Sequence, residues 1–185
     1  MDQVAVQAAL LSATPVAPRD AASICDAALY AWWDLGGKLS RFWPENFPYV
    51  DVTTPLYVGD APSGLGMRVM DMHLKTTRFS GLRRSLAALL VDELDLLPGT
   101  TPVGKGKVVL EQDYEDRITS WMVQNLLLTW VLTPDSTNLE KLVIADLCSP
   151  LNYKYARKSP YKKAMKDLRA SLCSAAARGP SDPVP

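Results

Sequence analysis

The stretch Gly66–Leu97, GMRVMDMHLKTTRFSGLRRSLAALLVDELDLL, carries the clearest periodicity in the chain, and the period changes part-way. From Met67 to Thr76 it is two: Met70, Met72 and Leu74 fall on one face, Asp71, His73 and Lys75 on the other. After Arg78-Phe79-Ser80-Gly81 the spacing becomes helical, with Leu82, Leu86, Leu89, Leu90 and Leu97 on one stripe. The pattern predicts a half-buried strand feeding an amphipathic helix, the unit on which the fold is expected to be built.

Toward the N-terminus, residues 2–12 suit a short helix with Val4, Ala8 and Leu11 on one side, and Thr14 to Pro18 breaks it. Arg19 to Leu35 is alanine-rich with Ile24, Ala28, Ala31 and Leu35 aligned, and Gly36-Gly37 follows, so a helix is expected. Residues 38–64 interleave Pro44, Pro48, Pro55 and Pro62 with Trp43, Phe47, Tyr49 and Tyr57, an extended segment packed on the domain. Trp32, Trp33, Phe42 and Trp43 are expected to form one aromatic cluster. Together with Phe47 and Tyr49 they either cap the core or offer a patch to a protein partner.

Toward the C-terminus, Pro98–Pro102 is a loop and Lys107 to Asp113 a short strand, with Tyr114 to Arg117 as a charged turn. Thr119 to Thr133 fits period two and helical spacing almost equally. Its Trp, Val and Thr content, and the stop at Thr133-Pro134-Asp135, favour strand. Asn138 to Cys148 reads as a helix capped by Asn138. Ser159-Pro160 opens a last helix with Tyr161, Met165, Leu168 and Leu172 on its apolar stripe. The sum is an α+β fold, a small antiparallel sheet packed with amphipathic helices and helical at both ends. It divides into an N-terminal segment 1–18, one domain 19–178 and a tail 179–185.

The 185 residues are 48% hydrophobic and 22% charged, an ordinary globular composition with zero net charge. The charge is uneven. Residues 1–60 carry Arg19, Lys38 and Arg41 against seven acids, whereas Lys154, Arg157, Lys158, Lys162, Lys163, Lys166, Arg169 and Arg178 face Asp167 alone. Cys25, Cys148 and Cys173 suggest neither a disulfide framework nor a zinc signature. No apolar run approaches the ~20 residues of a membrane span, and no basic leader precedes an apolar one. An intracellular protein, cytoplasmic or at a membrane periphery, is expected.

Chemistry is sparse. Gly99 to Lys105 matches the G-x-x-x-x-G-K half of a phosphate loop, but Gly106 follows where a hydroxyl would hold magnesium. The segment also follows a helix and precedes a strand, so a glycine-rich turn is expected. His73, the sole histidine, is placed on the polar strand face as a surface residue, unpaired with any cysteine. Glu111, Asp113, Glu115 and Asp116 read as a solvated turn, and Asp92, Glu93 and Asp95 as an acidic helix end without an obvious basic partner. No catalytic, cofactor or metal set emerges. The functional signal is the basic segment Lys154, Arg157, Lys158, Lys162, Lys163, Lys166 and Arg169, which suits an anionic membrane surface or nucleic acid.

Two stretches, Met67–Leu97 and Ser120–Asp135 (SWMVQNLLLTWVLTPD), resemble the matrix proteins of rhabdoviruses: an alternating strand turning into an amphipathic helix, then a second strand ending at an acidic turn. The resemblance implies a non-enzymatic structural protein of a virion that self-associates, contacts the inner leaflet and condenses a nucleocapsid, with no cofactor or small-molecule substrate. A nucleic-acid-binding regulator using the basic helix is the alternative, and a small enzyme without a recognisable motif comes third.

Overall fold

In the computed structural model, which describes residues 2–104 and 107–178, the centre of the fold is a strand that helical spacing had claimed. β1 (Ala28–Trp33) lies between β2 (Tyr57–Ala61) and β5 (Leu127–Leu132) in an antiparallel sheet ordered β2-β1-β5. All six β1 residues are buried. Ala28, Tyr30 and Trp32 enter one core; Leu29, Ala31 and Trp33 enter another. A strand covered on both faces shows no polar alternation, so ALYAWW after a run of alanines reads equally well as helix. The helix expected over Arg19–Leu35 is replaced by a 3-10 turn, Pro18–Ala21, and this strand.

Helices cover both faces of the sheet. α1 (Gln3–Ser12) starts at Asp2, whose carboxylate accepts from Ala5 N at 2.8 Å, and it buries Val6 and Leu10 rather than Val4, Ala8 and Leu11. With α4 (Ser136–Leu147) it closes the core that holds Leu29, Ala31 and Trp33. Against the other face pack α2 (Gly81–Leu89), α3 (Gln112–Asn125) and α5 (Lys162–Arg178), through Leu82, Leu86, Ile118, Met122, Met165 and Leu172. β3 (Thr100–Pro102) and β4 (Val108–Leu110) form a separate hairpin. The architecture is therefore α+β, a small antiparallel sheet with helices at both ends of the described chain.

Several local expectations change. Met67–His73 is a π-helix, with Leu74 N donating to Val69 O at 2.8 Å, not the start of a strand. The segment 119–133 divides: α3 runs through it to Asn125, taking in the supposed turn 114–117, and β5 begins at Leu127. α2 ends at Leu89, so Asp92, Glu93 and Asp95 lie beyond it; Glu93 meets Arg41 at 2.7 Å and Asp95 meets Arg117 at 3.6 Å. α4 opens two residues before Asn138, with Asp135 in the cap position. α5 forms on the expected apolar stripe but begins at Lys162, two residues after Pro160. The phosphate-loop echo extends to Lys105 and Gly106, which with the tail 179–185 lie outside the described residues. No helix of the described chain is long and apolar enough to cross a membrane.

Candidate active site

The antiparallel register of β1 and β2 sets Tyr30 opposite Gly59. A Cβ built at Gly59 would fall inside the Tyr30 phenol, so the strand pair needs glycine there for the ring to lie across it. Tyr30 is fully buried, and its hydroxyl sits 2.6 Å from His73 Nε2 while accepting from Arg68 Nε at 3.2 Å. Arg68 only donates, so the phenolic proton goes to His73 Nε2, and His73 Nδ1–H then points to Ser80 Oγ at 2.7 Å. The π-helix supplies both partners: residues five apart bond across its turn, and Arg68 and His73 have that spacing. Trp32, Tyr30 and Tyr57 meet the imidazole edge-on, with ring centroids 5.5–5.8 Å away.

His73 is thus no surface residue. Burial, then the charges of Arg68 and Arg83, hold its pKa well below the usual histidine value and keep it neutral. Burial likewise raises the Tyr30 phenol. Behind them lies an ion pair that the expected solvated acidic turn did not foresee. Arg83 Nη2 meets Glu115 Oε2 at 2.6 Å with both side chains buried. Arg83 Nη1 also donates to His73 O at 3.0 Å and Thr119 Oγ1 at 2.8 Å, and Glu115 accepts from Thr77 N and Thr77 Oγ1. With its donors and acceptors satisfied, the pair ties α3 to α2 and to the chain leaving His73.

Beyond Arg68, which bonds the Tyr30 hydroxyl, a cleft of about 200 Å³ opens along the free edge of β2. The loop after α4 covers part of that edge with a side chain. Asn152 Oδ1 accepts from Val58 N and Nδ2 donates to Val58 O, both at 2.8 Å, as a neighbouring strand would. That pairing carries Tyr153 and Lys154 to the cleft, where they join Tyr57, Asp60, Arg68, Phe79, Arg84, Glu140 and Arg169.

The cleft is electrically divided. Glu140, buried on α4, stands beside Asp60 from the end of β2; burial first, then the Asp60 charge, push its pKa up to about 7 against the pull of Lys154 and Arg68. Facing them, Arg68, Arg84, Lys154 and Arg169 make no ion pair within 4.0 Å among the described residues. A carboxylate pair suited to a hard cation and a set of unneutralised cations suited to a phosphate share one cleft.

Of the basic residues expected to bind an anion, Lys154 and Arg169 line this cleft. Arg157, Lys158, Lys163 and Lys166 are exposed outside its lining; Lys162 is half-buried, its Nζ 5.6 Å from the Tyr153 ring centroid. Lys163 pairs with Asp167 at 3.0 Å. The aromatics do not form one cluster. Trp32 and Trp33 are buried on opposite faces of β1, Trp43 stacks on Phe47 and Phe47 on Tyr161, and Phe42 is half-buried; Tyr49 alone is largely exposed, at 85%. Reasoning from sequence overlooked Tyr30, Tyr57, Asp60, Arg68, Arg84, Glu140 and Asn152 as site residues.

Comparison with known families supplies the missing signal. The family model of the GIY-YIG catalytic domain matches residues 29–171, and no curated protein and no solved structure matches the chain. Within the matched residues, Leu29-Tyr30 on β1 and Tyr57-Val58-Gly59 on β2 resemble the two tripeptides that the family's name spells. The tyrosine that closes the first and the glycine that closes the second are the pair facing each other in the sheet. This match overturns the matrix-protein resemblance and, with it, the non-enzymatic assembly role and the virion setting: the match is to a catalytic domain of nucleases. Of the two anionic partners weighed, it supports nucleic acid, and it lends nothing to self-association or a membrane surface.

Proposed function

Because the chain belongs to the GIY-YIG catalytic-domain family, a family of nucleases, we propose that it cleaves phosphodiester bonds of nucleic acid in the cleft at the free edge of β2. One observation carries this reading: the Asp60–Glu140 carboxylates and the unpaired arginines meet in a single cleft, whose Arg68 bonds the hydroxyl of the Tyr30–His73 pair behind it. Hydrolysis of a phosphodiester needs the phosphate charge neutralised, a proton taken from water, and charge on the leaving oxygen relieved.

Arg68 is placed for the first task. Tyr30 holds its Nε, its Nη1 lies against Met72 Sδ at 2.9 Å, and its Nη2 has no partner among the described residues. Tyr30 and His73 fit the second. As the phenol oxygen takes a proton from the attacking water, its own proton passes to the neutral His73 Nε2 that already accepts its hydrogen bond. Arg68 separates Tyr30 from the cleft, so this relay opens as the guanidinium turns toward a phosphate.

Asp60 and Glu140 fit a divalent cation. A carboxyl raised to about 7 by burial and then by a carboxylate neighbour is relieved by a positive charge, and two carboxylates with waters and phosphate oxygens suit magnesium. Such an ion, when bound, polarises a phosphate oxygen and relieves developing charge. This departs from the expectation that no metal takes part. Phe79, 60% exposed on the cleft lining, offers a face to a base of the strand.

The test is cleavage of plasmid and oligonucleotide DNA and RNA with magnesium and with chelator. Arg68→Ala should lower kcat by about 10²–10³, and Tyr30→Phe by about 10²–10⁴, while both variants stay folded by circular dichroism. Cleavage unaffected by chelator or by both substitutions would refute the assignment.

A further inference from the structure

Arg169 is an unusual residue for a helix that carries so much surface charge. Its Nη2 donates to Gly81 O and Ser85 Oγ at the start of α2, and its Nε is buried with no hydrogen-bond partner. Burial, then the charge of the neighbouring Arg84, lower its pKa to about 10, and it makes no ion pair within 4.0 Å among the described residues. Arg84 donates through Nη1 to Thr77 O and Arg78 O and makes no ion pair either. Lys154, exposed on the loop that Asn152 pins to β2, lines the same cleft. The Tyr153 ring centroid lies 5.4 Å from the Arg169 guanidinium carbon. A half-buried guanidinium beside another guanidinium, with a buried N–H that lacks a partner and no ion pair of its own, is unfavourable unless an anion completes it.

Hydrolysis as described uses Arg68, Tyr30, His73, Asp60 and Glu140, and leaves these three cations without a task. We propose that Arg169, Arg84 and Lys154 form a second phosphate subsite, which holds the backbone phosphate next to the one that is cleaved. The inference rests on the nuclease reading and deepens it. The basic C-terminal segment then acts on the substrate through two of its cations, not as a diffuse surface.

Fluorescence anisotropy of labelled single-stranded and duplex oligonucleotides in chelator tests this without cleavage. Lys154→Ala and Arg169→Met should each weaken binding about tenfold. Each should reduce the slope of log K against log salt by about 0.7–0.9. Arg169 also bonds α2, so Lys154→Ala, an exposed site, guards against a folding effect. Oligonucleotides carrying one neutral methylphosphonate should bind the wild type more weakly when it stands at a single flanking position, and that penalty should vanish in an Arg84→Ala/Lys154→Ala protein. Equal affinities and slopes, a wild type indifferent to the position of the neutral link, or no binding of nucleic acid would overturn the subsite. Cleavage with wild-type-like binding in the variants leaves the nuclease reading standing; binding through these residues without cleavage does the reverse.

Discussion

Glu140 and His73 titrate in opposite senses, so their effects on stability oppose each other below pH 6.5. Glu140, raised to about 7 by burial and Asp60, keeps its proton in the folded chain where the unfolded chain has lost it, so its contribution is full below about 4.5 and is lost as pH rises through 7. His73, held well below its ordinary value of 6.5, binds fewer protons folded than unfolded, so its contribution is full above 6.5 and is lost as pH falls. Between about 4.5 and 6.5 the two slopes oppose each other. Glu140→Gln should therefore expose a stability that climbs with pH up to about 6.5, and in chelator at pH 8 it should be more stable than wild type by roughly 1–3 kcal/mol. Urea unfolding of both proteins across pH 4–8 measures this; parallel profiles would show that the Glu140 carboxyl is not held near 7. Magnesium should shift the wild-type Tm more at pH 8 than at pH 6, because a proton competes for the same oxygens, and should leave Glu140→Gln nearly unmoved.

At the scale of elements, the site depends on two devices far from any motif. Asn152 replaces a strand at the β2 edge with both halves of its amide. Asn152→Ala should cost about 1–3 kcal/mol through two lost buried bonds. It should also lower nucleic-acid affinity, because Tyr153 and Lys154 lose their mooring. Chemical denaturation and anisotropy on one variant check both. The Arg83–Glu115 pair holds the chain after His73, and Arg83→Leu, which strands a buried carboxylate, should destabilise by about 3–5 kcal/mol. A smaller loss would mean that Glu115 is protonated or hydrated once alone.

These elements also explain what could be read beforehand. α4 and α5 each bury one side and α2 is buried almost all round, and the 3.6-residue spacing of their apolar residues was legible within a few residues. β1 and the π-helix were not. β1 is buried on both faces, which erases alternation, and the π-helix buries Val69 and His73, four positions apart, where period two had set His73 on the polar face. Glu115 and His73 looked solvated because their partners, Arg83 and Tyr30, lie 32 and 43 positions away. Burial of a charged group by a distant partner leaves no local trace.

For the molecule as a whole, the α+β architecture followed from local patterns, but the active site did not, because it is assembled from β1, β2, the π-helix, α2, α4, the loop after it and α5. The signal present in the chain was Tyr57-Val58-Gly59 with Leu29-Tyr30, short enough to pass as strand composition until the register set tyrosine against glycine. The basic C-terminal segment pointed toward an anion, and two of its residues, Lys154 and Arg169, reach the cleft. The most direct test of the account is magnesium-dependent cleavage of nucleic acid by wild type and Glu140→Gln, with binding measured in parallel. Cleavage by the wild type that chelator abolishes, and its loss by at least about 10²-fold in Glu140→Gln with binding retained, is the predicted result. Equal cleavage by the two proteins, or none by the wild type under any divalent cation, would contradict it.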